Sequence, residues 1–145
     1  MLEKIKDPVI LMRLAALWLL FLGLGHSIGF AMMAGDPGAF EGARAVAYEA
    51  MTARDMGSRT GATMWTAYVM FSLGHGFLML FAGLATWMVA GGSDAALRYN
   101  FTRFLTVFWI GAAVVWFWRA PIESPVLILF GTLPPLLLAW FFQRK

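Results

Sequence analysis

Two long stretches of this sequence contain no charged residue, and they restrict the fold more than any other feature. Residues 14–33 form the first stretch and residues 61–93 the second. A helix of about 20 apolar residues crosses the hydrocarbon core of a bilayer, which is about 30 Å thick. Residues 124–143 form a third stretch of that length, and residues 104–118 form a shorter one of 15 residues. The sequence therefore predicts a chain that crosses a membrane four times.

The overall composition supports the same class of protein. Hydrophobic residues make up 61% of the chain and charged residues only 13%, with a mean hydropathy of +0.73, whereas a soluble domain carries about 25% charge. Cysteine is absent, which excludes disulfide scaffolds, thiolate nucleophiles and thiolate metal sites. The net charge of +3 comes from cations at the ends of apolar stretches, a pattern typical of membrane topology rather than of nucleic-acid binding.

These stretches predict an all-α integral membrane fold, an up-down-up-down four-helix transmembrane bundle that forms a single membrane domain over residues 1–145. The predicted spans are at about 10–33, 61–90, 101–119 and 125–143. The third is short, so arginines at its two ends must reach toward water. Pro134 and Pro135 remove two backbone donors and predict a kink in the fourth. A cleaved signal peptide is the alternative for the first stretch, but its apolar segment would be about 7–15 residues long.

The distribution of lysine and arginine predicts the orientation. Most of these residues fall on the side that holds both chain termini, and only Arg44, Arg54, Arg59 and Arg119 fall on the other side. Loops on the cytoplasmic side carry the excess of positive charge. We therefore expect both termini in the cytoplasm.

The first connection is the only long one, and it contains a helical pattern. Apolar residues recur at steps of three and four between about residues 39 and 53, with charged residues mostly between them. This periodicity predicts an amphipathic helix. The helix either lies on the outer membrane surface as a lid over the bundle or is a solvated connector.

Both histidines lie inside predicted spans, where an ionisable side chain usually faces the protein interior. His26 lies roughly 10 Å and His75 roughly 20 Å from the outer surface, at 1.5 Å per helical residue. Three interpretations stay open: a polar contact with another helix, a ligand pocket, or axial ligation of haem b. For the polar contact, the expected partners of His26 are Thr63, Thr66 or Ser72, or the outer cluster around Arg119 and Glu123. Gly25 and Gly29 form a small-xxx-small pair that predicts close approach of a second helix.

Polar and aromatic residues gather at the outer ends of the spans. They are either an interfacial aromatic belt with ion pairs or the mouth of a pocket for a lipid-sized or quinone-sized ligand. The candidate ligand-binding residues are His26, Ser27, Trp65, Tyr68, His75, Arg119 and Glu123. With two histidines, no cysteine and no carboxylate within the spans, the sequence predicts no metal site. Haem held by His26 and His75 is the only cofactor considered.

The chain also resembles a group of small bacterial four-span membrane proteins to which no reaction is assigned. The likeness rests on residues 25–30, Gly-His-Ser-Ile-Gly-Phe, on residues 56–60, Met-Gly-Ser-Arg-Thr, and on residues 65–68, Trp-Thr-Ala-Tyr. The resemblance implies a bacterial inner-membrane protein, and it implies no catalytic residues.

No catalytic constellation accompanies these features, so the sequence favours a role without chemistry of its own. We expect a small membrane protein that is an accessory subunit of a larger complex or a homo-oligomer, or that binds a lipid or another hydrophobic ligand. A haem-carrying or quinone-handling redox protein is the alternative. A small transporter is a second alternative, although the last two spans offer little polar surface beyond Thr106 and Thr132.

Overall fold

A computed structural model describes residues 6–36, 38, 40–57, 61–119 and 123–143, with side chains for all of these except 116–119 and 123–128. Within these residues the chain forms five helices and no β-strand. They are α1 (Pro8–Gly35), α2 (Ala43–Thr52), α3 (Met64–Gly91), α4 (Ala95–Arg119) and α5 (Glu123–Gln143). The predicted all-α class is confirmed.

Local sequence signals explain where these helices begin. α1 starts at Pro8, whose fixed φ suits a first helical position, and the Asp7 carboxylate accepts a hydrogen bond of 2.8 Å from the Val9 N–H. Asp94 caps α4 in the same way, with its carboxylate 2.9 Å from the Leu97 nitrogen. Such caps satisfy N–H groups that have no partner inside the helix.

Two of the described helices, α1 and α3, are long and apolar enough to cross a membrane. α4 is longer than the predicted third span because it begins at Ala95, and its first turns therefore include Arg98 and Arg103. The described apolar part of α5, Leu129–Gln143, is shorter than a span requires. α5 nevertheless runs through Pro134 and Pro135 to its end at Gln143.

The amphipathic helix of the first connection exists, but it is shorter than predicted. α2 begins at Ala43 rather than near residue 39, because Gly42 adopts φ 59° and ψ −131°, outside the helical region. None of the α2 residues is buried. The helix therefore lies on the surface of the chain and depends on contacts made by a few of its side chains.

The chain divides into two compact units. Unit 1 comprises Met1–Leu22 and Met79–Lys145, and unit 2 comprises Gly23–Leu78. The boundaries fall inside α1 and α3, so each unit contains one part of both helices.

Unit 1 contains the hydrophobic core, to which α1, α3, α4 and α5 all contribute. The buried core residues are Leu11, Met12, Ala15, Leu19, Met79, Ala90, Leu105, Trp109, Leu129, Leu136 and Ala139. Small residues permit the close contacts within it. A methyl group on Gly83 would lie 2.8 Å from Leu20 Cγ and 3.0 Å from the Ala16 carbonyl oxygen, and one on Gly131 would overlap the Trp18 indole.

Unit 1 also buries threonines completely. Thr86, Thr102, Thr106 and Thr132 are each 0% exposed. The Thr86, Thr102 and Thr106 hydroxyls donate to the carbonyl four residues earlier in the same helix, at 2.6, 2.7 and 2.8 Å. The polar groups of these three side chains are thus satisfied locally, as burial requires.

Candidate functional site: a histidine pair and an aromatic cluster

The α1 and α3 segments of unit 2 touch through a glycine. A methyl group built on Gly76 would overlap Ser27 Oγ and would lie 3.3 Å from both the Gly23 carbonyl oxygen and the Ser27 nitrogen. Only a residue without a Cβ permits this approach. Ser27, predicted as a ligand contact, therefore fills the space between the two helices.

The close approach occurs at Gly76 and not at the predicted glycine pair. A methyl group on Gly25 or on Gly29 would meet no described atom within 4 Å. The described residues therefore show no close helix contact at this predicted pair. The small-xxx-small spacing identifies a possible face of α1, but the rotation of the helix turns a different residue toward α3.

The Gly76 contact brings the two histidines together. The His26 and His75 ring centroids are 5.6 Å apart, and the ring planes meet at 66° in an edge-to-face arrangement. The uncertainty of the predicted helix boundaries leaves a difference in depth of roughly a few ångströms to over 10 Å, and the ring contact favours the low end of that range. α1 continues to Gly35 and α3 begins only at Met64, so the two histidines lie at similar distances from the helix ends that adjoin the first connection.

His26 has a second ring neighbour on its own helix. Phe30, one turn later, lies with its ring centroid 4.7 Å from that of His26. His26 Nε2 is buried and has no hydrogen-bond partner among the described residues. The expected partners Thr63, Thr66 and Ser72 therefore form no hydrogen bond with this nitrogen. The Thr63 and Thr66 hydroxyls instead lie 3.3 Å from each other. The histidine pair therefore retains one buried nitrogen that can bond to a ligand.

A continuous series of ring contacts leads away from the histidines. Phe30 lies 5.5 Å from Tyr68, and Tyr68 lies 5.8 Å from Trp65, measured between centroids. The structure thus brings four of the predicted site residues, His26, His75, Tyr68 and Trp65, into one cluster through Phe30. Sequence reasoning missed Phe30, although its spacing of four residues from His26 was the available signal.

The series ends in three mutually contacting rings, which we call the aromatic triangle: Phe40, Tyr48 and Trp65. Tyr48 lies 5.0 Å from Trp65, Phe40 lies 5.6 Å from Trp65, and Phe40 lies 5.7 Å from Tyr48. These contacts attach α2 and the segment before it to the first turn of α3. Phe40 packs on the rings from outside α2, whereas the sequence predicted it within that helix.

A short backbone pairing positions Trp65. The Met56 N–H donates to the Ala62 carbonyl at 3.0 Å and the Met64 N–H donates to the Arg54 carbonyl at 2.9 Å, around an antiparallel bridge between Asp55 and Thr63. Gly57 and Gly61 take positive φ values of 66° and 67°, which glycine adopts without strain. The folded-back connection sets where α3 begins and therefore where its first aromatic side chains lie.

The geometry does not accommodate haem between the histidines. Two axial imidazoles must lie on opposite faces of a porphyrin, with the macrocycle between them. Here one imidazole contacts the other directly, and the adjacent residue, Gly76, contacts the backbone of α1. His26 and His75 as placed therefore do not fit haem b. Among the described residues, no three histidine or carboxylate side chains come together as a metal site.

Two predicted site residues, Arg119 and Glu123, have side chains outside the described part of the structure. The candidate site therefore consists of the histidine pair, Phe30, Tyr68 and the aromatic triangle. We call this set the histidine–aromatic cluster.

Comparison with known proteins gives this chain no relative: no family model, no curated protein and no solved structure matches it.

Proposed function

We propose that the chain is an integral membrane protein that binds an amphipathic ligand at the histidine–aromatic cluster. Four spans with both termini in the cytoplasm, in a bacterial inner membrane, remain the proposed arrangement. α1 and α3 supply two spans by length and apolarity. α4 and α5 complete the proposed up-down-up-down bundle if their terminal charged groups reach the membrane surface.

The distribution of apolar and polar side chains supports the membrane location. Large apolar residues on α1, α3, α4 and α5 are 63% to 78% exposed: Phe21, Met32, Met70, Phe71, Phe77, Leu78, Phe81, Met88, Phe104 and Phe130. Four threonines, in contrast, are fully buried. Soluble monomers rarely expose contiguous apolar surface on this scale, whereas lipid tails solvate it without cost.

One observation supports ligand binding: the buried His26 Nε2 has no hydrogen-bond partner among the described residues. An unpaired polar group costs about 1–3 kcal/mol in a protein interior, and the cost rises where no water is available. A ligand with a carbonyl or hydroxyl oxygen would satisfy this nitrogen. The aromatic rings beside it favour a flat or apolar body next to that oxygen.

Quinones and lipids with an oxygen-bearing headgroup share this chemistry. A quinone carbonyl would accept a hydrogen bond from an imidazole N–H, and its ring would pack against Phe30 and Tyr68. Either ligand suits a protein without catalytic residues of its own. Any redox step would belong to a quinone and to its partner enzymes rather than to this chain.

The buried threonines argue against the transporter alternative. Transport needs polar groups that face a path, but three of these hydroxyls already donate to carbonyls of their own helices.

An accessory role in a larger complex is compatible with ligand binding, because the exposed apolar faces can contact another membrane subunit as well as lipid.

Ligand binding is tested by purifying the protein in mild detergent and identifying the bound small molecules by mass spectrometry. We expect a quinone or lipid that is lost from His26→Leu while the helical circular dichroism is unchanged. Met70→Leu, a change on an exposed position of α3, is the matched control and should retain the ligand. Equal ligand content in all three proteins would refute the proposed role of His26.

Direct titration with a short-chain benzoquinone then separates the two ligand classes. Saturable binding to the wild type, weakened at least tenfold in His26→Leu, would support the quinone. Saturable binding of unchanged affinity in that variant would place the quinone elsewhere on the protein.

A further inference from the structure

Two arginines converge where α3 ends, within unit 1. Arg13 on α1 places its guanidinium carbon 5.1 Å from the centre of the Trp87 ring. A methyl group on Gly91 would lie 3.8 Å from Arg13 Nη2. Arg98 on α4 reaches back and donates a hydrogen bond from Nη1 to the Gly92 carbonyl oxygen. Both guanidinium groups therefore lie beside the consecutive residues Gly91 and Gly92.

Within the described part of the chain, the contacts of these arginines use few of their hydrogen-bond donors. A guanidinium has five N–H donors. Trp87 holds Arg13 through its ring face, which consumes no N–H donor. The Gly92 carbonyl takes one donor of Arg98 and belongs to the negative end of the α3 dipole. The two guanidinium groups thus have N–H donors that make no hydrogen bond to the described residues.

The carboxylate nearest to Gly91 and Gly92 in the sequence is that of Asp94. Asp94 lies in the turn between α3 and α4, and its Oδ1 accepts the Leu97 N–H at 2.9 Å as the cap of α4. Two guanidinium groups that contact the consecutive residues Gly91 and Gly92 favour an anion at this end of α3. Arginine pairs suit phosphate because their planar forks donate parallel hydrogen bonds.

An apolar stripe leads directly away from the arginines. Phe81, Leu84 and Met88 on α3 are 71%, 54% and 74% exposed, and their spacing of three and four residues places them on one face of the helix. Trp87 is 39% exposed beside them. A molecule with a phosphate headgroup and long acyl chains matches a cationic end that is joined to an apolar stripe.

We propose that Arg13, Trp87 and Arg98 form a binding site for the phosphate of an anionic phospholipid, whose acyl chains lie along Phe81, Leu84 and Met88. The site goes beyond the histidine–aromatic cluster and rests only on the proposed membrane location. In the proposed orientation it lies in the cytoplasmic leaflet, where anionic lipids attract arginine and lysine.

The test is native mass spectrometry of the purified protein with added phosphatidylglycerol or phosphatidylcholine. We expect saturable binding of phosphatidylglycerol, weakened about tenfold in Arg13→Gln and in Arg98→Gln. Arg103→Gln removes the same charge from an exposed position on α4 and should change the affinity less than twofold. Arg13→Lys and Arg98→Lys keep the charge but not the planar fork, so they should bind with intermediate affinity and serve if a glutamine variant fails to fold.

Three results would overturn the proposal. Phosphatidylcholine carries a phosphate whose charge is balanced by choline, so equal affinity for it would show that the site does not select an anionic headgroup. Equal weakening by Arg103→Gln would reduce the effect to general attraction by positive charge. Displacement of the lipid by millimolar inorganic phosphate would indicate a site for a free anion. Failure of the membrane location would be visible separately, because the wild type would then appear in the soluble fraction of lysed cells.

Discussion

The two compact units of this chain differ in what they bury. Unit 1 buries a core of aliphatic side chains from four helices, together with four threonines. In unit 2 the buried side chains described are few, chiefly Val69 and Ser72, and the principal contacts are between aromatic rings and between the two histidines. Unit 1 is therefore organised mainly by apolar packing, whereas unit 2 is organised mainly by ring contacts around the histidine–aromatic cluster.

The comparison predicts that resistance to unfolding depends mainly on unit 1, whereas the histidine–aromatic cluster lies in a region that opens more easily. Dense packing without voids gives a protein most of its resistance to unfolding. A region with fewer buried contacts opens at lower free energy and can admit a ligand. The following variants test whether this difference between the units is real.

The largest effect is expected in the core of unit 1. Leu136 is completely buried in the core, with 0% of its surface exposed. Leu136→Ala should therefore lower the free energy of unfolding by about 2–5 kcal/mol. Leu138, two residues away and 44% exposed, is the control, and its alanine variant should lose much less. Unfolding of each variant in mixed detergent and dodecyl sulfate micelles measures these two free-energy changes. Equal losses would mean that this face of α5 is not a packed core.

A smaller effect is expected at the helix contact of unit 2. Gly76→Ala adds a methyl group that overlaps Ser27 Oγ and should cost about 1–3 kcal/mol through overpacking. Gly74→Ala adds the same group where no described atom lies within 4 Å. That control should be neutral or stabilising by up to about 1 kcal/mol, because alanine favours helix more than glycine. If Gly74→Ala is the more damaging change, the assigned contact face of α3 is wrong.

The smallest effect on overall stability is expected in the aromatic triangle. Tyr48→Ala removes two ring contacts worth about 0.5–1.5 kcal/mol each. Their loss should release α2 without unfolding the core of unit 1. Trypsin should then cut at Arg44 and Arg54 about tenfold faster, since about 1.4 kcal/mol corresponds to tenfold. Val46→Ala, on an exposed position of α2, should leave the cleavage rate unchanged. Unaltered cleavage in Tyr48→Ala would show that the triangle does not hold α2.

The helical fold could be predicted from the sequence because helix length and apolarity are local properties. Two apolar stretches became α1 and α3 with boundaries shifted by a few residues. The third predicted span differs more from the structure than the others do. α4 extends backward from about residue 101 to Ala95, and so over Arg98, because Asp94 supplies an earlier cap than the apolar pattern suggested. Capping by a polar residue outside the apolar stretch thus moved the boundary.

The candidate site could be predicted only in part, because it depends on how two helices are rotated and aligned. His26 and His75 were identifiable as ionisable residues within apolar stretches. Their contact was not, since an error of a few residues in each boundary changes the inferred depth by several ångströms. Gly76 carries no pattern that distinguishes it from Gly25 or Gly29, and only the packed structure identifies it as the contact.

The central claim is that the exposed apolar side chains of α3 face lipid while the α2 connection faces water. The chain has no cysteine, so a single spin label can be attached through Phe81→Cys or Glu49→Cys, both at exposed positions. In reconstituted vesicles, the Phe81 label should collide more often with dissolved oxygen than with a water-soluble nickel complex. The Glu49 label should show the reverse preference. Frequent collisions of the nickel complex with the Phe81 label would place this face of α3 in water and contradict the account.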